Sequence, residues 1–299
     1  MRQLISLCFL ITALVACEKD EPTPDPNTSS NPPVSSTPQL IIKFSFDSTQ
    51  ARLDNLGAPS ALPTGNSAQH PKFNEISVHY IEFAQSALTP LGGGHIVYES
   101  PMSTAGGDTA IDHSNSIRVS EGQTFLSVPL SSVPAGTYQY LRASLSYQNY
   151  DIQLRVNTPI LLDLTGTVAS FIGQETYVQS YTIKDSTVVV NQNKLQGYWG
   201  FETNFNVTTG QAPAGATTVP NPIFATSPVP QGSCVVTGAF SPGSLVISGT
   251  ETSDVTITFS CSTNNSFEWK DADMDGFYEP LDGDTVVDMG IRGLIPIVQ

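Results

Sequence analysis

No stretch of twelve or more residues in this chain places apolar side chains at helical spacing. Alternation recurs instead. Ile42, Phe44 and Phe46 share one phase, with Lys43 and Ser45 between them. Ile76, Val78 and Tyr80 alternate with Ser77 and His79, and Val255, Ile257, Phe259 and Cys261 share a third phase. A period of two puts successive side chains on opposite faces of an extended strand. Gly57, Pro59, Pro63, Gly65, Pro71, Gly92-Gly93-Gly94 and Pro134-Ala135-Gly136 punctuate these segments as turns. Many short half-buried strands between such breaks predict an all-β fold. It would be a β-sandwich, or two stacked β-sheet lobes, of mostly antiparallel strands. No internal repeat is visible, which disfavours a parallel β-helix.

The pattern predicts strands at 40–46, 76–83, 95–98 and 125–130. Leu141, Ala143 and Leu145, followed by Gln148-Asn149-Tyr150 and then Ile152, Leu154 and Val156, read as a hairpin. Further strands are expected at 159–165, 167–172, 177–183, 187–191, 196–206, 233–240, 244–248 and 254–261. Pro213, Pro220, Pro222, Pro228 and Pro230 mark residues 209–231 as a long loop or a boundary. The chain then divides into an N-terminal lobe at 39–208 and a C-terminal lobe at 209–299.

The start of the chain is of another kind. Arg2 and an apolar run from Leu4 to Val15 form a signal peptide over 1–16. The run is shorter than the roughly 20 apolar residues that span a bilayer. It ends in Leu14-Val15-Ala16-Cys17, which resembles the lipobox of bacterial lipoproteins. That resemblance implies acylation of Cys17 and anchorage by lipid, each buried methylene contributing about 0.8 kcal/mol. Lys19-Asp20-Glu21 resembles the export signal of Bacteroidetes surface lipoproteins and implies an outer-membrane, cell-surface address. Residues 17–38, with six prolines from Pro22 to Pro38, read as a disordered tether.

The full sequence of 299 residues holds 12 basic and 27 acidic side chains, a net charge of −15. Such a chain offers no basic face to phosphates, so nucleic acid is excluded as a partner. Its expected partners are membrane lipid through Cys17 and a glycan, protein or nutrient. An exported chain meets an oxidising compartment, where Cys234 and Cys261 are candidates for a disulfide. If 234–261 formed a plain three-stranded meander, the two would sit at opposite ends of its outer strands. A bridge needs Cα atoms about 4.4–6.8 Å apart, so it would require a connection between sheets.

One loop carries chemistry. Asp271, Asp273 and Asp275 occupy positions one, three and five of an EF-hand-type calcium loop, and Gly276 occupies position six. Phe277 would offer its carbonyl at position seven, Glu279 stands at nine and Asp282 at twelve. Calcium takes six to eight hard oxygens, and alternate residues on a tight turn aim carboxylates at one centre. Asp282 is shorter than the usual Glu, which predicts weak, structural binding. No flanking helices are apparent.

Other candidates are sparser. His79, His95 and His113 could form a second site for a metal such as copper, since imidazole suits that ion, although no spacing enforces it. Trp199, Trp269 and Tyr198 could stack a sugar, but packing accounts for them better. No H-E-x-x-H, G-x-S-x-G, P-loop or dinucleotide motif occurs, so the chain reads as a non-enzyme. A carbohydrate-active hydrolase would need a carboxylate pair that only spatial separation can reveal. Ile42-Lys43-Phe44-Ser45-Phe46, the strand from Ile76 to Phe83, and Pro134-Ala135-Gly136-Thr137-Tyr138 leading into Leu141–Tyr147 are similar in layout to the MbnP-like copper-binding family. That resemblance covers residues 40 to about 156. The family's copper chemistry uses His and a modified Trp, and no Trp precedes Trp199 here. The segment from Gln196-Gly197-Tyr198-Trp199-Gly200 to Gly290-Ile291-Arg292-Gly293 resembles uncharacterised Bacteroidetes lipoproteins.

Overall fold

A computed structural model of the chain describes residues 37–157, 159–212 and 234–299. The lipobox, Cys17, Lys19-Asp20-Glu21 and the tether up to residue 36 lie outside the described residues. In chain order the strands are β1 (Gln39–Asp47), β2 (Asn66–Gln69), β3 (Lys72–Ala84), β4 (His95–Glu99), β5 (Met102–Ser103), β6 (Ala110–Asp112) and β7 (Thr124–Pro129). They continue with β8 (Gly136–Tyr138), β9 (Tyr140–Asn157), β10 (Leu161–Phe171), β11 (Glu175–Thr182), β12 (Thr187–Leu195), β13 (Tyr198–Glu202) and β14 (Val207–Gln211). The last are β15 (Cys234–Ala239), β16 (Leu245–Ile247), β17 (Val255–Ser262), β18 (Phe267–Lys270), β19 (Thr285–Met289) and β20 (Leu294–Val298). One 3₁₀ turn, Leu130–Ser132, is the only helical element among the described residues. The all-β expectation holds.

The alternation read from sequence is the core. Leu40, Ile42 and Phe44 on β1 and Ile257 and Phe259 on β17 are fully buried, and the two strands pair in parallel with Phe44 opposite Phe259. Their rings meet edge-on at 4.9 Å, and Phe125 of β7 closes on Phe44 at 5.5 Å. The sheet β20-β17-β1-β7 contributes these residues to one hydrophobic cluster. The seven-stranded sheet β14-β13-β10-β9-β3-β4, with β15 also on β9, contributes Ile76, Val78, Ile81, Phe83, Leu141, Ala143, Leu145, Tyr150 and Ile152 to the same cluster. Two sheets sharing one interior make a sandwich. Each buried aromatic or aliphatic side chain contributes roughly 1.5–3 kcal/mol. A smaller sheet, β12-β11-β6-β5, covers part of the other face of the large sheet. There Tyr147, Ala169 and Phe171 pack with Val178, Tyr181, Ile183 and Tyr198.

Strand β9 departs from the expected hairpin. Gln148-Asn149-Tyr150 is not a turn; the chain runs straight through it for 18 residues. The pairing with β3 skips Ser146, since Ser77 faces Tyr147 and Val78 faces Leu145. This bulge shifts the phase by one residue. Leu141, Ala143 and Leu145 therefore share the sandwich face with Gln148, Tyr150 and Ile152. Tyr147, Asn149, Asp151, Gln153 and Arg155 point to the opposite face. Segments 159–165 and 167–172 likewise form one strand, β10, paired with β9 from Leu161↔Asn157 to Phe171↔Tyr147.

The strands of 234–261 do not form a plain meander. β15 pairs with β9, β16 with β8, and β17 with β1 and β20. Thr37–Gln299 form one compact unit, and the boundary expected at 208/209 falls within strand β14 of the large sheet. Cys234 and Cys261 come from different sheets but touch the same core cluster, and both are free thiols. Burial pushes the Cys234 thiol up to about 12, with Asp288 adding to the rise and Arg292 opposing it; burial raises Cys261 too. Such thiols stay protonated and inert to exchange at neutral pH.

Candidate metal centre

The acidic loop 271–284 joins β18 and β19, whose pairing of Lys270 with Thr285 brings its two ends together. β18 is fixed from below by buried Trp269, which packs against Phe267 and Tyr278, and from the side by β2. A rigid strand thus delivers Asp271 to the loop entrance. Its Oδ2 accepts hydrogen bonds from Ser67 Oγ and Gly276 N, both at 2.8 Å, and its Oδ1 accepts from Met274 N at 2.7 Å. Gly276 takes a φ of 83°, the left-handed conformation in which a side chain is strained, as the motif demands. Met274 also lies there, at 64°.

Ligand oxygens of Asp271, Asp273 and Asp275 all lie within 4.8 Å of one another. Among the described residues no other group of three or more His, Cys, Asp or Glu side chains gathers so closely. Oxygens around one calcium sit 2.3–2.6 Å from it, so two of them can be at most about 5 Å apart. The three aspartates fit one such sphere. Asp273 and Asp275 are exposed, and Oδ1 of each accepts a single backbone bond, from Asp275 N at 3.3 Å and Phe277 N at 2.8 Å.

The other expected ligands, Glu279 and Asp282, stand outside that triad. Burial pushes the Glu279 carboxyl up, and the charges of Asp275, Asp273 and Asp282 push it further. Burial would raise Asp271 as well, but its bonds from Ser67, Gly276 and Met274 outweigh that and hold it low. Asp282 is exposed, with its N–H bonded to the Glu279 carbonyl at 3.0 Å. Asp284, two residues beyond the motif, closes the loop from within. Its carboxylate accepts from Ala272 N at 2.9 Å and Glu279 N at 2.7 Å. Standing outside the twelve-residue motif, it carried no signal in the sequence. The Phe277 ring lies under the Arg155 guanidinium, 3.3 Å from ring centroid to carbon, and Arg155 N donates to Tyr278 O at 2.8 Å. The loop is thereby docked on the end of β9.

The histidines occupy separate places. His79 is buried on β3 and burial lowers it to about 4. His95 opens β4, half-buried. His113 is buried between Tyr147 and Phe171, each ring 4.9 Å away. Burial, with help from Arg118, lowers it to about 3. His70 accepts from Asn265 N through Nδ1 at 2.8 Å. The structure gathers no three of them at one point. Of the candidate sugar-stacking residues, Trp269 and Tyr198 are buried, and Trp199 is half-buried on β13. No helix among the described residues is long and apolar enough to cross a membrane. No protein-family model, curated protein or solved structure matches the chain.

Proposed function

We propose that this chain is a lipid-anchored, surface-exposed binding or structural module, without catalysis, whose 271–284 loop is stiffened by calcium. The observation that carries the reading is the triad Asp271, Asp273 and Asp275 at ligand spacing, with Gly276 supplying the bend. The lipobox and Cys17 support the address. A loop with three clustered carboxylates and a docked exit gains from a divalent cation that neutralises the repulsion. Calcium is favoured over magnesium because it accepts irregular oxygen cages and gives up its water more readily.

Thermal denaturation of the full chain in detergent, with chelator and then with calcium, tests the metal. A site of Kd on the order of 10⁻⁴–10⁻³ M, supplied with calcium at ten times its Kd, stabilises by about 1.4 kcal/mol. For a fold of this size that raises Tm by about 3–6 °C. Magnesium at the same concentration should give a smaller rise. An unchanged Tm in millimolar calcium counts against the site. Mass spectrometry of the native amino terminus tests the address: acylated Cys17 as first residue is expected, and an unprocessed Met1 would refute it.

A further inference from the structure

The small sheet β12-β11-β6-β5 covers only part of the outer face of the large sheet. Beyond it, the β9 side chains Asn149, Asp151 and Gln153 line two adjoining hollows of about 380 and 290 Å³, with Asp151 in the wall of both. The geometry points to a binding site for a neutral saccharide in this cleft, centred on Asp151. This rests on the reading of the chain as a binding module and names its ligand class.

The cleft is built and held before any ligand arrives. Asp151 Oδ1 accepts from Thr167 Oγ at 2.7 Å and from Asn74 Nδ2 at 3.2 Å. Asn149 Oδ1 accepts from Asn74 Nδ2 at 2.9 Å, and its own Nδ2 donates to the Ile183 carbonyl at 2.7 Å. Asn149 and Thr167 are almost fully buried, at 3% and 1% exposure, on the central strands. Side chains fixed this way lose little freedom on binding. Asp151 Oδ2 takes no hydrogen bond among the described residues, and Glu75 also lines the larger hollow.

The chemistry of the lining selects the ligand. Carboxylate acceptors on the floor demand a ligand that brings hydrogens, and hydroxyl groups do so while also accepting from amides and ammonium groups. Glu75 and Lys184 both line the larger hollow and Lys72 joins Asp151 in the smaller one, so the lining balances its charges and favours neither an anion nor a cation. A quaternary ammonium ligand wants an aromatic cage, and no Phe, Trp or Tyr lines either hollow. A neutral polyol satisfies the array. The volumes fall at the small end of ligand sites, roughly 300–1,000 Å³, which suits one or two sugar units.

The test is a carbohydrate array probed with the full chain in detergent. It carries neutral glucans, mannans, xylans and galactans beside uronate and sulfated oligosaccharides. The best neutral probe is then titrated by calorimetry against the wild type, Asp151→Asn and Glu75→Gln. Asp151→Asn keeps an acceptor for Thr167 and Asn74, so the fold persists, which the unchanged Tm verifies. The expected result is binding of a neutral probe, weakened at least tenfold by either substitution, the loss of a charge-assisted hydrogen bond. Neutral binding that both variants retain overturns the cleft and leaves the module reading standing. Binding of acidic probes alone overturns the ligand class. A protein that binds no probe at millimolar concentration overturns the site and weighs against the module reading too.

Discussion

Removal of Arg142 tests the ion pair buried near the start of β9. Arg142 on β9 and Glu82 on β3 are both fully buried and face each other, with Arg142 Nη1 3.6 Å from Glu82 Oε2. The guanidinium donates through Nη2 to the carbonyls of Ser86 and Ala87, each at 3.1 Å. The carboxylate accepts from Gly94 N at 2.5 Å, Gly92 N at 3.2 Å and Tyr80 OH at 2.9 Å. Residues 86–94 are thus wrapped around one buried ion pair. Gly94 approaches so closely that a Cβ there would lie 2.1 Å from the Phe83 carbonyl oxygen. Arg142→Met keeps an unbranched chain of similar length but leaves the carboxylate buried without its cation. Breaking a buried pair costs about 3–5 kcal/mol, or roughly 6–20 °C in Tm at this size. Replacing both members costs less than the sum, because Arg142→Met/Glu82→Gln removes the stranded charge as well. Chemical denaturation of the wild type, both single variants and the double variant gives the cycle. An Arg142→Met variant within about 1 kcal/mol of wild type would refute the reasoning, as would strict additivity.

Asp273→Asn should act with opposite signs in the two metal states. Without calcium it relieves repulsion inside the triad, roughly 1 kcal/mol per exposed pair before salt screening, so Tm holds or rises slightly; with calcium the stabilising shift shrinks or disappears. A variant that melts below wild type in chelator would contradict this. The pH dependence follows from the two buried histidines. Each binds its proton in the unfolded chain near the ordinary pKa of about 6.5 but not in the folded one until about 4 for His79 and about 3 for His113. Their contribution is therefore complete above pH 6.5 and is lost as pH falls from there toward 3–4, at about 1.4 kcal/mol per pH unit for each. His113→Phe, which keeps a ring between Tyr147 and Phe171, should remove one histidine's share of that slope. Parallel acid limbs for variant and wild type would show the assignment to be mistaken.

The sandwich core was legible because its strands alternate without interruption. Leu40, Ile42 and Phe44, or Ile257, Phe259 and Cys261, carry a phase that burial explains directly. β9 was not legible, because the bulge at Ser146 hands the core face from odd to even positions, and the polar run Gln148-Asn149 then imitates a turn. β18 hid for a different reason: Glu268 is buried between Phe267 and Trp269, made acceptable by Arg52 and by Arg292 at 3.5 Å. No local pattern announces partners that come from opposite ends of the chain. The same contrast governs the sites. Asp271, Asp273, Asp275 and Gly276 could be read as a motif because loop coordination is local in sequence. Asp284, which clasps the loop, lies outside the motif. The cleft at Asp151 draws Asn74 and Thr167 together through the pairing of β3, β9 and β10, and Ile183 through the packing of the segment after β11 on β9.

Native mass spectrometry of the full chain, released from detergent after equilibration with calcium and compared with Asp271→Asn, reads the metal centre most directly. One calcium ion per wild-type chain, absent from the variant and removed by chelator, is the predicted result. A wild-type mass without added calcium, or equal calcium on both proteins, would contradict the proposal that these three aspartates form a cation site.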